Sequence, residues 1–291
     1  MASLANDLDE YWSSDCDYSL ENEIDMDYGD KSVFEESKEK YLAKSATSSM
    51  TGAIYEAQRT TMQFPIELQN ELQQFVKEQN YSMFTVLLYA FSCVLLHFQQ
   101  EEILQIGIPV SVLRLKKDRP IGMFVNIVPF FADREVLESE SGISRLRHLW
   151  FKAARNYRFP YYKIKSVVGE TFEKYDYTFN YLPNVYPPTI GGFPVELHNV
   201  HPKYQAYRLQ GLVETHNDNN MYMVLDWDVD TYALGFDKYF IELYFNVLKA
   251  VVSDSRLTSD TFCMEINRKL MDEQNVDLSS YQKEDFGTEV L

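Results

Sequence analysis

Residues 121–133 read IGMFVNIVPFFAD, which predicts a strand with one amide in its middle. The residues on both sides of Asn126 are apolar, as in a strand that is buried on both faces. A buried amide without hydrogen-bond partners costs roughly 1–3 kcal/mol. We therefore expect Asn126 either to hold a neighbouring segment of backbone or to line a polar tunnel. The alternative is an amide that local backbone satisfies, without contact to any ligand.

The segments around this strand predict an α/β fold. Residues 65–80 carry apolar side chains at helical spacing, and residues 82–100 are apolar nearly all round, which is typical of a buried helix capped by Ser82. A strand follows at 103–113. The remaining pattern predicts helices at 143–156, near 161–172 and at 235–254, and strands at 176–184, 194–200, 207–217 and 221–230. A mixed β-sheet flanked by helices accommodates this order.

The charge of the chain is unevenly distributed. The formal net charge is −17, which argues against nucleic acid as a partner. Residues 1–40 alone hold thirteen Asp and Glu against three Lys. This stretch predicts either a solvated, partly disordered segment or an arm that docks on a basic partner. We accordingly expect an acidic, partly disordered N-terminal arm at 1–50, a folded lobe at 51–272 and a polar tail at 273–291.

The cysteines and the apolar runs indicate a reduced compartment. Cys16, Cys93 and Cys263 are scattered, odd in number and without the spacing of metal ligands. No signal peptide begins the chain, and its longest apolar stretch, 83–98, is too short to span a bilayer comfortably. We therefore expect a cytoplasmic protein with no membrane segment.

The common catalytic motifs are missing from the sequence. It has no G-x-S-x-G, P-loop or G-x-G-x-x-G, and none of its five histidines accompanies a nucleophile in a readable pattern. His198 and His201 are a weak candidate for a metal pair, because they are three residues apart across a predicted turn. We expect this chain to contain no catalytic residue and no metal site.

Five segments, in order along the chain, form a recognisable pattern. The first two are YSMFTVLLYAFSCVLLHFQQEEILQIGIPVSVLR (81–114) and IGMFVNIVPFF (121–131). The other three are NYRFPYYKI (156–164), FNYLP (179–183) and LDWD (225–228). Together they resemble the condensation domains of nonribosomal peptide synthetases, which typically carry a helix T-x-x-x-L-L-A-A-F-A-x-L-L, a strand ending G-x-P-x-S, and then I-G-x-F-V-N-T-x-P-x-R.

The resemblance implies one lobe of a two-lobed fold. Condensation domains have two lobes that resemble chloramphenicol acetyltransferase, and the first lobe carries the motif H-H-x-x-x-D-G. This sequence has no His-His pair, and its motifs are those of the second lobe. The resemblance therefore implies a single chloramphenicol acetyltransferase-like lobe at 51–272, of class α/β. Such a lobe would condense carrier-bound thioesters only together with a chain that supplies the other lobe.

The resemblance also implies a site and partners. In the family, the cleft between the lobes admits the phosphopantetheine arms of two carrier proteins. By resemblance, the residues that line this cleft are Gly122, Phe124, Asn126, Tyr161 and Asn180. We expect no cofactor to be bound directly. The expected partners are peptidyl or acyl carrier proteins, and either a chain with the missing lobe or a second copy of this chain.

Several motif positions depart from the family pattern. Phe131 stands in the place of the usual arginine, Ile127 in that of threonine and Tyr162 in that of glutamate. These replacements leave three hypotheses open. The chain is one half of a split enzyme that forms amide or ester bonds, a non-catalytic protein that docks a carrier or partner, or a folded fragment without a role.

Overall fold

A mixed β-sheet carries a layer of helices on one of its faces. The computed structural model describes residues 54–98, 103–112, 124–139, 141–161, 163–164, 176–183, 189–190, 192–194, 200–216 and 219–253. The helices are α1 (Ile66–Glu78), α2 (Met83–Phe98), α3 (Arg134–Leu137), α4 (Gly142–Ala154) and α5 (Phe236–Ser253). The strands are β1 (Tyr55–Gln63), β2 (Ile103–Ser111), β3 (Val125–Asp133), β4 (Tyr177–Leu182), β5 (Thr189–Ile190), β6 (Phe193–Pro194), β7 (Tyr204–Gln205), β8 (Leu209–Thr215) and β9 (Met221–Asp228).

The sheet combines antiparallel and parallel strand pairs. Its seven strands follow the order β3-β2-β4-β8-β9-β1-β7. Among these described strands, the β2-β4 and β4-β8 pairs are parallel and the other pairs are antiparallel. Strands β5 and β6 form a separate two-stranded ladder. The predicted class, an α/β fold with a mixed sheet flanked by helices, is confirmed.

Helix α2 lies at the centre of the helix layer. Every residue from Phe84 to Leu96 is buried, because the helix is apolar nearly all round. Its buried polar groups have partners within the protein. The Ser92 hydroxyl donates to the Leu88 carbonyl at 2.8 Å, and the Tyr89 hydroxyl donates to the Leu137 carbonyl at 2.9 Å. Burial of α2 therefore leaves these hydroxyl groups satisfied.

The starts of α1 and α2 follow from their capping residues. The Ser82 hydroxyl accepts the backbone N–H of Thr85 at 3.1 Å, which confirms the predicted N-cap of α2. Pro65 precedes α1, and its carbonyl accepts the N–H of Gln69 at 3.0 Å. Proline is tolerated there because the first N–H groups of a helix have no partner within the helix.

Strands β8 and β9 form an antiparallel hairpin that is tied to α1. Asn219 in the connecting turn has a φ of 62°, a conformation that asparagine tolerates better than most residues. The side chain of Gln69 donates to the Asn219 carbonyl at 2.6 Å and accepts the N–H of Met221 at 2.9 Å. This buried amide therefore fixes the position of α1 relative to the end of the hairpin.

The predicted elements agree with the structure in most of the described ranges. The sequence pattern does not predict β1, which lies between β9 and β7, because its buried and exposed positions do not alternate regularly. Within the described ranges no single helix is long and apolar enough to cross a bilayer. Helices α1 and α2 meet the criteria of length and apolarity only when they are taken together, and they are bent by 116° relative to each other. Four predicted segments lie wholly or mostly outside the described residues, at 1–50, 161–172, 194–200 and 273–291.

Gly211 of β8 lies directly beneath Phe91 of α2. A Cβ atom at Gly211 would come within 2.5 Å of the Phe91 ring, so an added methyl group must displace either the ring or the strand. We expect Gly211→Ala to lower the free energy of unfolding by about 1–3 kcal/mol, measured by urea denaturation.

Gln210→Ala is the matched control, since the neighbouring side chain points to the other face of the sheet. It should change the free energy of unfolding by less than about 0.5 kcal/mol. Replacing Phe91 by leucine in the Gly211→Ala background should recover part of the loss, because it removes atoms from the overlap. An equal loss with and without that second substitution contradicts this explanation.

Candidate functional site

Asn126 joins strand β3 to the segment that follows α4. Its Nδ2 donates to the carbonyl oxygens of Tyr157 at 2.8 Å and Phe159 at 2.7 Å. Its Oδ1 accepts the backbone N–H of Tyr161 at 3.2 Å. Both donor hydrogens and the acceptor of the amide are therefore used. Asn126 thus holds a backbone segment 31 to 35 residues away, which is one of the alternatives that the sequence leaves open, and its contact with a substrate remains a prediction.

Tyr161 lies at the end of the segment that Asn126 holds. Burial raises the pKa of the Tyr161 phenol above its usual range, and the neighbouring Tyr207 raises it further. Burial also raises the pKa of Tyr207. Both phenols are therefore neutral at physiological pH, where each can donate a hydrogen bond.

Asn180 lies on the opposite face of the sheet from Asn126. Phe130 of β3 packs on α4, and Phe179 of β4 packs on α2, so both rings lie on the helix side. Side chains alternate between the two faces along a strand. Asn126, four residues before Phe130, is therefore on the helix side, and Asn180, next to Phe179, is on the other side.

The remaining predicted cleft residues lie near the start of β3. Phe124 directly precedes this strand, is half-buried, and accepts the Val112 N–H on its backbone carbonyl at 2.8 Å. Gly122 lies outside the described residues. The structure therefore brings Asn126 and Tyr161 together, and Phe124 is close to Asn126 in sequence. The sheet separates Asn180 from these residues.

The face of the sheet that bears Asn180 carries a partly buried ion pair. The guanidinium of Arg59 donates from Nε to Asp226 Oδ1 at 2.6 Å and from Nη2 to Asp226 Oδ2 at 2.7 Å. Such bidentate pairs are the stronger, geometrically specific form of an arginine–carboxylate contact. The hydrogen bond to Asp226 raises the pKa of Arg59, so this guanidinium stays charged. We call this side of the sheet the polar face, and its polar residues include Arg59, Thr178, Asn180, Glu214 and Asp226.

Three buried oxygen atoms on strands β4 and β8 of the polar face have no hydrogen-bond partner among the described residues. They are Thr178 Oγ1, Asn180 Oδ1 and Glu214 Oε2. Thr178 and Glu214 are only 3% and 5% exposed. The other carboxylate oxygen of Glu214 contacts a ring nitrogen of His216 at 2.8 Å. Because an unpaired buried acceptor is unfavourable, these atoms suit a ligand that donates hydrogen bonds.

The sequence identifies Asn180 only by resemblance, and Thr178 and Glu214 are missed. The available signal was the alternation in 176–184, which places Thr178 and Asn180 on one side of β4 and Phe179 on the other. Glu214 gives no comparable signal, since it is one of 44 acidic residues in the chain.

The described part of the chain contains no group of three or more His, Cys, Asp or Glu side chains that could hold a metal ion. His201 lies with its Nε2 at 3.8 Å from Asp226 Oδ1, and His198 lies outside the described residues. The candidate pair of His198 and His201 is therefore untested, and the expectation of no metal site stays a prediction.

Comparison with known families identifies the fold. A family model of the condensation domain matches residues 12–256. The chain belongs to the condensation domain family. A search of the curated proteins finds no match. The predicted resemblance is thus confirmed for most of the chain, and the match begins inside the segment 1–50 that the sequence predicts as an arm.

Solved structures support the same assignment of fold. The condensation domain from the monacolin K polyketide synthase MokA is similar with a TM-score of 0.60, 11% identity, and coverage of 88% of this chain and 62% of that one. The first condensation domain of the calcium-dependent antibiotic synthetase is similar with a TM-score of 0.56 and 14% identity. The match covers 88% of this chain and 55% of that one. The four-domain nonribosomal peptide synthetase holo-AB3403 is similar with a TM-score of 0.57 and 13% identity. The match covers 69% of this chain and 17% of that one. This condensation domain chain therefore spans less than two thirds of the solved chains that it resembles.

Substitution of Asn126 tests the hold on the segment after α4. Asn126→Ala removes the three hydrogen bonds that this side chain makes with the backbone of Tyr157, Phe159 and Tyr161. We expect a loss of roughly 1–3 kcal/mol in the free energy of unfolding, together with faster amide hydrogen exchange at Tyr161. Asn126→Asp should lose at least as much, because a carboxylate oxygen would face the carbonyls of Tyr157 and Phe159.

Asn156→Ala is the matched control, because this neighbouring side chain has no hydrogen bond among the described residues. It should leave hydrogen exchange at Tyr161 unchanged. If Asn126→Ala and Asn156→Ala had the same effect on exchange, the hydrogen bonds of Asn126 would not be what orders the segment.

Proposed function

We propose that this chain is the C-terminal half of a condensation domain and acts with a partner chain that carries the H-H-x-x-x-D-G lobe. The observation that carries the proposal is one seven-stranded sheet with the motifs of the second lobe, in a sequence that has no adjacent histidine pair. The share of 55–62% of two solved condensation domains that the chain spans is consistent with a half-domain. The pair would work in the cytoplasm, in the biosynthesis of a natural product.

In the proposed reaction, an amine on an acceptor carrier attacks the thioester carbonyl of a donor carrier. A C–N bond forms, the C–S bond breaks, and the donor thiol leaves. The proton that the amine loses passes to the leaving thiolate through the histidine of the partner lobe. This chain supplies one wall of the reaction chamber and orients the two carrier-bound substrates.

The polar face suits the phosphopantetheine arm of a carrier protein. Such an arm contains amide groups, whose N–H bonds are donors. Thr178 Oγ1 and Asn180 Oδ1 are buried acceptors without partners among the described residues. Thr178 and Asn180 are two residues apart on one strand, so these two side chains are spaced by about 7 Å along the strand. We propose that these two oxygens accept amide hydrogens of the arm, and that no cofactor belongs to this chain itself.

The helix side contributes to the proposed function through the segment after α4. Asn126 fixes the backbone at Tyr161, and the phenol of Tyr161 is a neutral donor. Together with Phe124, this segment would form the part of the chamber next to the start of β3, and Gly122 is assigned to the chamber by resemblance alone. The proposal assigns these residues to orientation of a substrate and assigns no proton transfer to them.

A non-catalytic role in docking a carrier or partner is the second candidate. It is favoured by Phe131, which is half-buried in β3 at the position where the family usually has an arginine. A chain with this role would bind a loaded carrier but would give no product with any partner lobe.

Reconstitution with loaded carriers tests the proposed function. Donor and acceptor carriers, each loaded with an aminoacyl thioester, are incubated with this chain, with an H-H-x-x-x-D-G lobe on a separate chain, and with both. We expect condensed product, detected by mass spectrometry, only when both chains are present. Product from this chain alone would overturn the proposal, because its sequence offers no histidine pair. Binding without product would favour the docking role.

Substitution of Asn180 tests the assignment of the polar face. In the reconstituted pair, Asn180→Ala should raise the KM for a loaded carrier about tenfold with a smaller change in kcat, because it removes a hydrogen bond to the arm. Asn70→Ala on the exposed side of α1 is the control and should leave both constants unchanged. An Asn180→Ala variant with unchanged KM would place the arm elsewhere.

A further inference from the structure

The outer side of α4 is a stripe of positive charge. Arg145, His148, Lys152 and Arg155 follow one another at three- and four-residue spacing, and all four are exposed. Residues at this spacing lie on one side of a helix. Helix α4 contains no Asp or Glu, although the chain has 44 acidic and only 27 basic residues. We call these four residues the basic stripe.

One exposed side of α1 has the opposite charge, although Lys77 in the last turn of this helix is basic. Glu67, Glu71, Gln74 and Glu78 also follow at three- and four-residue spacing and are all exposed. The amide of Gln74 donates to Glu78 Oε1 at 2.7 Å, which aligns these two side chains along the helix. We call these four residues the acidic stripe.

The two stripes match in length and are not neutralised by the described part of the chain. At 1.5 Å per residue, the basic stripe is about 15 Å long and the acidic stripe about 16 Å. Among the described residues, no ion pair involves a member of either stripe. Each stripe is therefore complementary to the other in charge and in length.

Helices α1 and α4 lie on the same side of the sheet and meet at one end. Arg147 Nη1 donates to the carbonyl of Asn80 at 3.1 Å, just after α1. The hydroxyl groups of Tyr81 and Ser144 are 2.7 Å apart. The end of α1 is therefore fixed beside the first turns of α4. A two-fold axis near this junction would place each stripe of one molecule against the opposite stripe of a second molecule.

We propose that the helix layer is a self-association surface on which a second copy of this chain docks. In this two-fold dimer the basic stripe of each copy contacts the acidic stripe of the other. The occupant is a second copy because this chain itself carries the complementary stripe. The proposal is independent of the proposed condensation function, since it uses neither the polar face nor the segment held by Asn126.

The dimer should be weak and sensitive to salt. Exposed ion pairs are individually weak and are screened by dissolved ions. We expect the dissociation constant to rise at least tenfold when the salt concentration is raised from about 50 mM to about 500 mM. Sedimentation velocity of the full chain over a range of concentrations measures this change.

Charge reversal tests which surfaces meet. One variant carries Arg145→Glu and Lys152→Glu, so both of its stripes are acidic. The other carries Glu71→Lys and Glu78→Lys, so both of its stripes are basic. Each variant alone should be monomeric, because like charges would oppose each other across the two-fold axis. Mixed in equal amounts, the two variants should form a heterodimer, which also shows that both are folded.

Several outcomes would overturn the proposal. A wild-type chain that sediments as a monomer at low salt up to about 100 µM would exclude the dimer. Variants that dimerise alone, or that do not associate when mixed, would place the interface elsewhere. If the wild type is monomeric but the Arg145→Glu and Lys152→Glu variant loses binding to a carrier protein, the basic stripe is a carrier surface. Because neither variant alters the polar face, failure of the dimer leaves the condensation proposal standing.

Discussion

The packing of α2 against the sheet is the interaction on which the rest of the structure depends. This helix is apolar nearly all round, so it can bury contacts with the sheet below it and with helices beside it. Phe91 reaches β8 at a glycine and lies 4.8 Å from Phe179 of β4, between ring centroids. Helices α1, α4 and α5 all contact α2. The positions of these three helices over the sheet are therefore set largely by one buried helix.

Two different features of the fold set the geometry of the candidate site. On the helix side, α4 is fixed on β3 by Trp150 and Phe130, and Asn126 then ties the segment after α4 to the start of the same strand. The polar face depends on the register of β4, β8, β9 and β1, which places the ion pair of Arg59 and Asp226 in line with Thr178. A shift of one residue in any of these strands would turn its polar side chains toward the helices.

The sequence predicts the layers of this fold better than it predicts the relation between site residues. Long elements with strong periodicity, such as α2 and α5, are predicted to within about two residues because burial leaves a clear pattern. Strand β1 is missed because its place between β9 and the edge strand β7 comes from long-range pairing that its own residues do not encode. The resemblance identifies Asn126, Tyr161 and Asn180, and only Asn126 could be argued from its own environment. That Asn180 faces away from Asn126 follows from the pairing of β2 with β4, which local sequence does not reveal.

Buried hydrogen-bond acceptors on the two sides of the sheet differ in their role. Those on the helix side stabilise the chain, whereas those on the polar face are offered to a ligand. On the helix side, the side-chain oxygens of Gln69, Ser92 and Asn126 all take part in hydrogen bonds that join elements or close a helical turn. On the polar face, Thr178 Oγ1, Asn180 Oδ1 and Glu214 Oε2 have no partner among the described residues. Each such oxygen lowers stability, and an aliphatic side chain at these half-buried or buried positions would avoid the loss. The polar face therefore retains groups that folding alone does not require, which is the pattern expected where a ligand or a second lobe completes the hydrogen bonds.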